Sequence, residues 1–226
     1  LLSTTIYNYK EMAKLYKEQT QLGYSKFLPQ IALGQSQMTI LANAYFENDI
    51  LDLTKRNPGL KHVILGAGWD IATSGDSFDL DIAAFLLDAN GKFNTVDNVI
   101  YFNNMQGQGI FLNGDNRTGA GEGDDERIDI NLDQINPAIQ KIVFVVSIFE
   151  AQTKRQTFGM VDNSYIRLLD AEQNEKEICR FNLKEDGSAA TSVIFAELYR
   201  QGQEWQFRAV GEGKIADLNG ILALYQ

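Results

Sequence analysis

After Pro58, the chain consists almost entirely of segments whose apolar residues are spaced as in β-strands. Trp205 and Phe207 alternate with Gln206 and Arg208, the period of two that a strand with one buried face requires. The segment IVFVVSIF is apolar throughout, which is typical of a central strand covered on both faces. The predicted strands are HVILGAGW, FDLDIAAFLL, NVIYFNN, KIVFVVSIF, SYIRLLD, EICRFNL, SVIFAELYR and WQFRAV.

Turn signals separate these strands at short, fairly regular intervals, as in DANGK, AEQNEK and RQGQE. Short strands with such spacing predict a mainly β protein, an antiparallel β-sandwich of two sheets with a few short helices. The closing segment KIADLNGILALY predicts one of those helices. We assign residues 29–226 to the sandwich domain.

Residues 1–28 differ from the rest and predict an N-terminal helical extension. They are rich in Lys, Glu and Gln, and they place Tyr9, Met12 and Tyr16 at helical spacing. The apolar stripe of this amphipathic helix is predicted to dock on the domain, on a partner protein or on a second copy of the chain, whereas a solvated linker helix is the alternative. The segment FLPQIALGQSQMTIL fits either two short strands or a second helix, and we favour strands.

Composition excludes several classes of protein. A formal net charge of −10 and a pI near 4.6 disfavour DNA and RNA as partners, because the summed field repels phosphate backbones. With a single cysteine, Cys179, and a single histidine, His62, the chain has no internal disulfide and no Cys- or His-rich zinc site. We find no transmembrane segment and no export signal, and we expect a cytoplasmic protein.

The segment GDNRTGAGEGDDE, residues 114–126, carries five carboxylates, one arginine and four glycines in thirteen positions. Crowded carboxylates repel one another, and glycine-rich backbone is costly to order. Such a loop either stays mobile or is organised by a cation.

Other acidic side chains are predicted to converge on this loop. Asp79 and Asp81 lie on the same face of a strand, about 6.6 Å apart, opposite the face that carries Leu80 and Ile82. Asp70 ends the preceding strand segment. Two neighbouring carboxylates need a shared cation or water, because otherwise each raises the pKa of the other.

An all-oxygen ligand set favours a hard cation, and calcium suits a mobile loop better than magnesium does. A solvated acidic turn and a magnesium-dependent or acid–base catalytic site are the alternatives. An EF-hand is excluded, because Arg117 and Ala120 occupy its third and sixth positions. The candidate ligands are the carboxylates of Asp70, Asp79, Asp81, Asp115, Glu122, Asp124, Asp125 and Glu126, together with the Asn116 amide and glycine carbonyls.

Several separated motifs, in order, resemble the TerD tellurium-resistance family. They are LGAGWD, FDLDIAAFLLD, YFNN, GDNRTGAGEGDDE, KIVFVVSIFEA, RQTFGMVDNSYIRLLD, FAELYRQGQEWQFRAVGEG and LNGILALY. The resemblance is close over residues 58–226 and extends back to about residue 30 through IALGQSQMTIL. It implies a cytoplasmic bacterial β-sandwich that binds two calcium ions at one end. It also implies a role in tellurite, phage and colicin resistance and in other stress responses.

The resemblance carries the metal site onto residues of this chain. The implied ligands are Asp70, Asp79, Asp81, Asp115, Asn116, Glu122, Asp124, Asp125 and Glu126, with carbonyls near Thr118, Gly119 and Gly121. The chain departs from the family pattern at Phe149 and Glu150, where His-Asp is frequent, and at Ala120, where Glu is common. The missing histidine weakens any expectation of a His-dependent enzyme.

Two classes of function follow. In the first, the chain is a non-enzymatic, calcium-dependent binding or scaffolding module, whose partners are other proteins of the stress-resistance system, including at the inner face of the membrane. In the second, it is a divalent-metal-dependent hydrolase that uses the carboxylate cluster. The first is favoured, because the chain has no GxSxG, HExxH or P-loop motif. A sandwich whose loop stays disordered is a third possibility.

Overall fold

The structure is a computed structural model of the chain. It describes residues 50–52, 60–71, 77–114, 116–119, 123–186 and 188–226. The predicted N-terminal extension and the ambiguous segment after it lie outside these residues. So do Asp115, Gly121 and Glu122 of the candidate metal site.

Twelve β-strands lie within the described residues. They are β1 (Ile50–Asp52), β2 (His62–Gly68), β3 (Leu80–Leu87), β4 (Val99–Ile100), β5 (Gln106–Gly107), β6 (Ile110–Asn113), β7 (Glu126–Asn131), β8 (Lys141–Ile148), β9 (Tyr165–Asp170), β10 (Lys176–Asn182), β11 (Ser192–Gln201) and β12 (Glu204–Lys214).

The helices are short and lie in the connections. The α-helices are α1 (Ala151–Lys154), α2 (Leu183–Asp186) and α3 (Leu218–Leu222), and 3-10 turns cover Val96–Asn98, Leu132–Gln134, Phe158–Met160, Ala171–Gln173 and Ala223–Tyr225. Among the described residues, no helix has the length and apolar character needed to cross a lipid bilayer. The predicted closing helix is confirmed by α3.

The strands form two six-stranded sheets, and every pairing is antiparallel. Sheet I has the order β1-β12-β11-β8-β3-β4, and sheet II has the order β10-β9-β2-β7-β6-β5. The predicted antiparallel β-sandwich is therefore confirmed. The apolar segment in β8 is a central strand of sheet I, and its residues from Ile142 to Ile148 are all buried, as predicted.

The main core lies between the two sheets, and a second apolar cluster covers the other face of sheet I. In β3, Leu80 and Ile82 belong to the main core, as the alternation predicts. The opposite face of β3 is apolar as well, because Phe85 and Leu87 pack in the second cluster with Ile221 of α3. Both faces of β3 are therefore buried. Asp81 lies on the same face as Phe85 and Leu87, the two residues that α3 covers.

The sequence analysis missed four strands: β1, β5, β6 and β7. In β7, Glu126, Ile128 and Ile130 are buried and Arg127 and Asp129 are partly exposed, so the period of two is present. The sequence-based prediction placed Glu126 in the acidic loop and proposed no strand after it. The last residue of the acidic loop, Glu126, is in fact the first residue of a strand.

A core substitution tests this packing. Phe144 is fully buried in β8 and lies opposite Ala84 on one neighbouring strand and Ala196 on the other. Because two alanines cannot fill the space of the ring, Phe144→Ala should lower the free energy of unfolding by about 3–5 kcal/mol. The matched control is Phe111→Ala, because Phe111 in β6 is 43% exposed. This substitution should lower the free energy of unfolding by about 1 kcal/mol or less. Equal losses in urea denaturation would contradict the assignment of Phe144 to the core.

Candidate metal centre

Trp69, directly after β2, joins several segments of the candidate site. Its backbone N–H donates to Asp125 Oδ2 at 2.9 Å, and its indole Nε1 donates to the carbonyl of Phe78 at 3.1 Å. Gly119 lies against the indole so closely that a Cβ there would be 2.6 Å from Trp69 Cδ1. Gly119 also has a φ of +71°, a conformation that favours glycine. The described part of the acidic loop is therefore folded onto Trp69.

Asn116 and Asp125 hold the two ends of that loop together. Asn116 Nδ2 donates to Asp125 Oδ1 at 2.8 Å, and the backbone N–H of Asp125 donates to the carbonyl of Ala67 at 2.7 Å. Asn116 Oδ1 accepts from the backbone N–H groups of Thr118 and Gly119, at 3.1 and 3.2 Å. These bonds give Asn116, Thr118, Gly119 and Asp125 a common position at the end of β2.

Asp70 completes this first group of side chains. Its Oδ2 accepts from Asn163 Nδ2 at 2.6 Å, and its N–H donates to the carbonyl of Asp162 at 3.0 Å. Burial raises the pKa of the Asp125 carboxyl above its ordinary value, and the charges of Asp124 and Asp70 raise it further, although the N–H of Trp69 acts in the opposite direction. Asp70 and Asp125 are therefore near enough to repel each other.

A second group lies at the start of β3, where three consecutive backbone carbonyls are held by donors from three segments. Gln156 Nε2 donates to Ser77 at 3.2 Å, Trp69 Nε1 to Phe78 at 3.1 Å, and the N–H of Phe149 to Asp79 at 2.8 Å. A hydrogen bond thus holds each of the three residues that lead into β3, Ser77, Phe78 and Asp79. This fixes where Asp79 and Asp81 lie relative to Trp69.

Asp81 and Glu126 are the most buried carboxylates of the second group, with relative exposures of 5% and 1%. Glu126 Oε2 accepts from the backbone N–H of Ile82 at 2.8 Å. That N–H lies on the edge of β3 beyond the two residues that pair with β4. Glu126 therefore links the start of β7 in sheet II to the start of β3 in sheet I.

Asp124 lies apart from both groups, on the face of sheet II that points away from sheet I. Its Oδ1 accepts from Arg167 Nε at 2.7 Å and from the Tyr165 hydroxyl at 3.0 Å. The carboxylate occupies the space above Gly66, where a Cβ would be 2.3 Å from Asp124 Oδ2. Gly66 pairs with Arg127 on one side and Arg167 on the other, so Asp124 fills a gap between two arginines. Its negative charge is neutralised by the protein itself.

Sequence reasoning missed Trp69, Tyr165 and Arg167 as parts of this region. Tyr165 covers Gly68, and Arg180 lies over its ring at 4.0 Å. The available signal was the GAG segment of β2, whose two glycines leave two positions on the outer face of sheet II without side chains. The neighbouring strands β7 and β9 place arginine and tyrosine beside these positions. This signal is recognisable only once the register of β2, β7 and β9 is known.

The described candidate ligands thus fall into two linked groups and one separate residue. The first contains Asp70, Asn116, Thr118, Gly119 and Asp125, the second contains Asp79, Asp81 and Glu126, and Asp124 stands alone. We call the end of the sandwich that carries the two groups the acidic end. Among the residues that the structure describes, no three or more His, Cys, Asp or Glu side chains are close enough together to hold a metal ion.

The chemistry of the donors fits calcium. Every residue in the two groups offers a side-chain or carbonyl oxygen, which is the ligand that hard cations take. Gln156 Oε1, next to the second group, is buried and has no hydrogen-bond partner among the described residues. Buried polar atoms of this kind are usually satisfied by water or an ion.

Comparison with known proteins identifies the family. Residues 47–225 match the TerD domain. Over 178 residues the chain is 44% identical to the tellurium resistance protein TerD of Serratia marcescens. The aligned region covers 77% of this chain and 92% of that protein. Over 179 residues it is 46% identical to general stress protein 16U of Bacillus subtilis (strain 168), with coverage of 77% and 92%. The chain belongs to the TerD family.

Solved structures agree with this assignment. A homologue of the telluride resistance protein TerD from Streptomyces coelicolor A3(2) superposes with a TM-score of 0.62 at 25% identity, covering 73% of this chain and 96% of that one. The TerD match begins shortly before β1, so this edge strand belongs to the TerD domain. The resemblance stated from sequence motifs is confirmed, and the chain is a member of a family of tellurium-resistance and stress-response proteins.

A glycine substitution tests the placement of Asp124 in this TerD domain. Gly66→Ala would put a methyl group 2.3 Å from Asp124 Oδ2, so it should displace the carboxylate from Arg167 and cost about 2–3 kcal/mol of unfolding free energy. In an Asp124→Ala background the same substitution should cost much less, because the clash is gone. An equal cost in both backgrounds, measured by urea denaturation, would show that Asp124 does not lie above Gly66.

A titration tests the surroundings of Tyr165. Burial, and then the charge of Asp124, raise the pKa of Tyr165 to about 12. Since the folded state holds this proton more tightly than the unfolded chain does, stability from this group should decline as the pH rises from the ordinary tyrosine value towards 12. Asp124→Asn should lower the pKa of Tyr165 but leave the part caused by burial. Tyrosinate absorbance, with Tyr165→Phe as the reference, measures the change, and an unaltered pKa would rule out the contact.

Proposed function

We propose that this TerD-family protein is a non-enzymatic, calcium-binding module of the stress response that acts by binding or scaffolding other proteins. The observation that supports the proposal is that two groups of oxygen-bearing residues lie at the acidic end. One group is held around Trp69, the other at the start of β3, and the Trp69 Nε1 bond to Phe78 joins them. A chain of net charge −10 that gathers carboxylates in this way is suited to a divalent cation.

The proposed ligands are those predicted from the sequence. They are Asp70, Asp79, Asp81, Asn116, Asp124, Asp125 and Glu126, with carbonyls near Thr118 and Gly119, and with Asp115, Gly121 and Glu122 from the residues outside the described part. Two groups of ligands are consistent with two calcium ions. Bound calcium would supply positive charge that offsets the repulsion among these carboxylates.

Asp124 has the weakest claim to be a ligand. Its carboxylate is already paired with Arg167 at 2.7 Å, and its side chain is only 1% exposed. To bind a metal ion through Oδ1, Asp124 would have to break its ion pair with Arg167. We therefore expect Asp124 to contribute more to the stability of the fold than to calcium affinity.

The binding role is favoured over hydrolysis by the surroundings of the site. The sole histidine, His62, lies at the other end of β2 and contacts Asp129 at 3.1 Å, so it does not serve the acidic end. The relatives reported above are named for tellurium resistance and stress, and no reaction appears in those names. We propose a cytoplasmic protein whose calcium-loaded form recognises other components of the stress-resistance system.

Calcium calorimetry with parallel thermal melts tests the proposal. Free calcium at a hundred times Kd should stabilise the folded chain by about 2.7 kcal/mol. Asp125→Asn keeps the shape of the side chain but removes its charge, and it should weaken calcium binding at least tenfold and abolish most of the gain in melting temperature. The matched control is Asp133→Asn, which removes the same charge from a 63% exposed side chain at the opposite end of β7. The control should bind calcium as the unsubstituted chain does.

Absence of heat and of stabilisation in the unsubstituted chain would refute calcium binding. Equal losses in Asp125→Asn and Asp133→Asn would refute the location of the site. Turnover of phosphoesters with magnesium or manganese, abolished by Asp79→Asn, would favour the hydrolase instead.

A further inference from the structure

The acidic end carries most of the exposed large apolar side chains of the described residues. Seven such side chains are recorded, and four of them lie on connections at this end: Ile71 at 56%, Phe149 at 40%, Met160 at 55% and Ile215 at 76% exposure. They belong to three connections, because Phe149 and Met160 both lie between β8 and β9, whereas Ile71 lies between β2 and β3 and Ile215 follows β12. Isolated exposed apolar residues are ordinary, but their concentration around one charged site indicates an interaction surface.

Backbone hydrogen bonds tie these connections to the candidate metal centre. Ile71 follows Asp70, whose N–H donates to Asp162, two residues beyond Met160. The backbone N–H of Phe149 donates to the backbone carbonyl of Asp79. Ile215 lies between Lys214 and Ala216, and both of these bond to Thr191, whose carbonyl in turn accepts from Ile148. The four side chains therefore lie on connections that are bonded to the acidic end or to its neighbouring strands.

Phe149 is held in place although it is exposed. Its ring packs edge-to-face on Phe102, with centroids 6.0 Å apart, and the ammonium of Lys154 lies 5.5 Å from its centroid. The short helix α1 that follows is bounded by Glu150 and Arg155, both in the left-handed region at φ of 56° and 54°. Non-glycine residues in this region are strained, and such strain is often found at functional sites. The turn presents an aromatic side chain next to Lys154 and Arg155, and Lys154 also forms an ion pair with Glu150 at 3.8 Å.

We propose that the calcium-loaded acidic end docks on an anionic lipid surface, with Phe149 and the other three apolar side chains entering the interface. The inference rests on the calcium binding proposed above. Phosphate oxygens of the headgroups would complete the coordination of the ion, and Lys154 and Arg155 would contact neighbouring headgroups. Without calcium, a chain of net charge −10 is repelled by such a surface, so docking requires the ion.

The arrangement of the apolar side chains favours a membrane over a protein partner. A protein interface concentrates its energy in a central, continuous group of buried side chains. Here the four side chains are on three connections at an end of the sandwich whose other exposed groups are polar and acidic. A flat surface that touches the end of a sandwich contacts all of its connections at once, and each apolar tip then gains energy independently.

Vesicle sedimentation with the full chain tests the inference. Vesicles of phosphatidylcholine with about 30% phosphatidylglycerol should bind the chain in the presence of calcium and release it when a chelator is added. Vesicles of phosphatidylcholine alone should not bind it. Phe149→Ala should weaken binding about fivefold to tenfold. Ile215→Ser should weaken it by a similar factor. Val96→Ser is the matched control for Ile215→Ser, because Val96 is 75% exposed at the opposite end of the sandwich, and it should bind unchanged.

Calorimetry on the same samples separates this inference from the proposed function. If calcium binds but the anionic vesicles do not sediment the chain, the lipid inference is overturned and calcium binding stands. If calcium does not bind, the proposed function itself fails. Vesicle binding that is equal for Phe149→Ala, Ile215→Ser and Val96→Ser would overturn the insertion of these side chains. Calcium-dependent self-association without vesicle binding would overturn the lipid surface in favour of a protein one.

Discussion

The two N–H groups of Trp69 hold the acidic end together. The backbone N–H bonds to Asp125 in the acidic loop, and the indole N–H bonds to the carbonyl that leads into β3. One residue, 4% exposed, thus joins the end of sheet II to the start of a strand in sheet I. A buried indole with its single donor satisfied is a rigid connector, and its size requires glycine at position 119. Together with the bond from the Ile82 N–H to Glu126, this connector fixes the two groups of carboxylates relative to each other.

Around Trp69, the protein manages crowded negative charge in several ways. Asp124 is neutralised by Arg167, above a glycine that makes room for it. Asp125 and Glu126 accept backbone N–H groups, which stabilise the charged form of a carboxylate. Asp70 and Asp125 remain near each other with no basic side chain bonded to either among the described residues. A cation is therefore more useful to these two residues than to Asp124.

Much of the fold could be predicted because its strands carry the expected signals. The unbroken apolar run of β8 correctly indicates a strand that is buried on both faces. The alternation of Trp205 and Phe207 with polar residues correctly indicates a strand, although Gln206 on its other face is buried as well. Among the strands that were missed, β1 and β5 have only three and two residues, β6 has four, and β7 carries the charged residues Arg127 and Asp129 between its apolar ones. A two-residue strand has no period to detect, and its pairing is decided by neighbours far away in the chain.

For the candidate site, the sequence alone determined the chemical class: oxygen ligands, concentrated in one loop and one strand start, in an acidic chain with one histidine. Residue types and local spacing are sufficient for that conclusion. Only the tertiary structure decided which carboxylates act together. Asp124 and Asp125 are adjacent in sequence, yet one turns to the outer face of sheet II and the other to Trp69. The physical reason is that β2 lies between β7 and β9, and this register places Gly66 next to Arg167 and leaves a space that the Asp124 carboxylate fills.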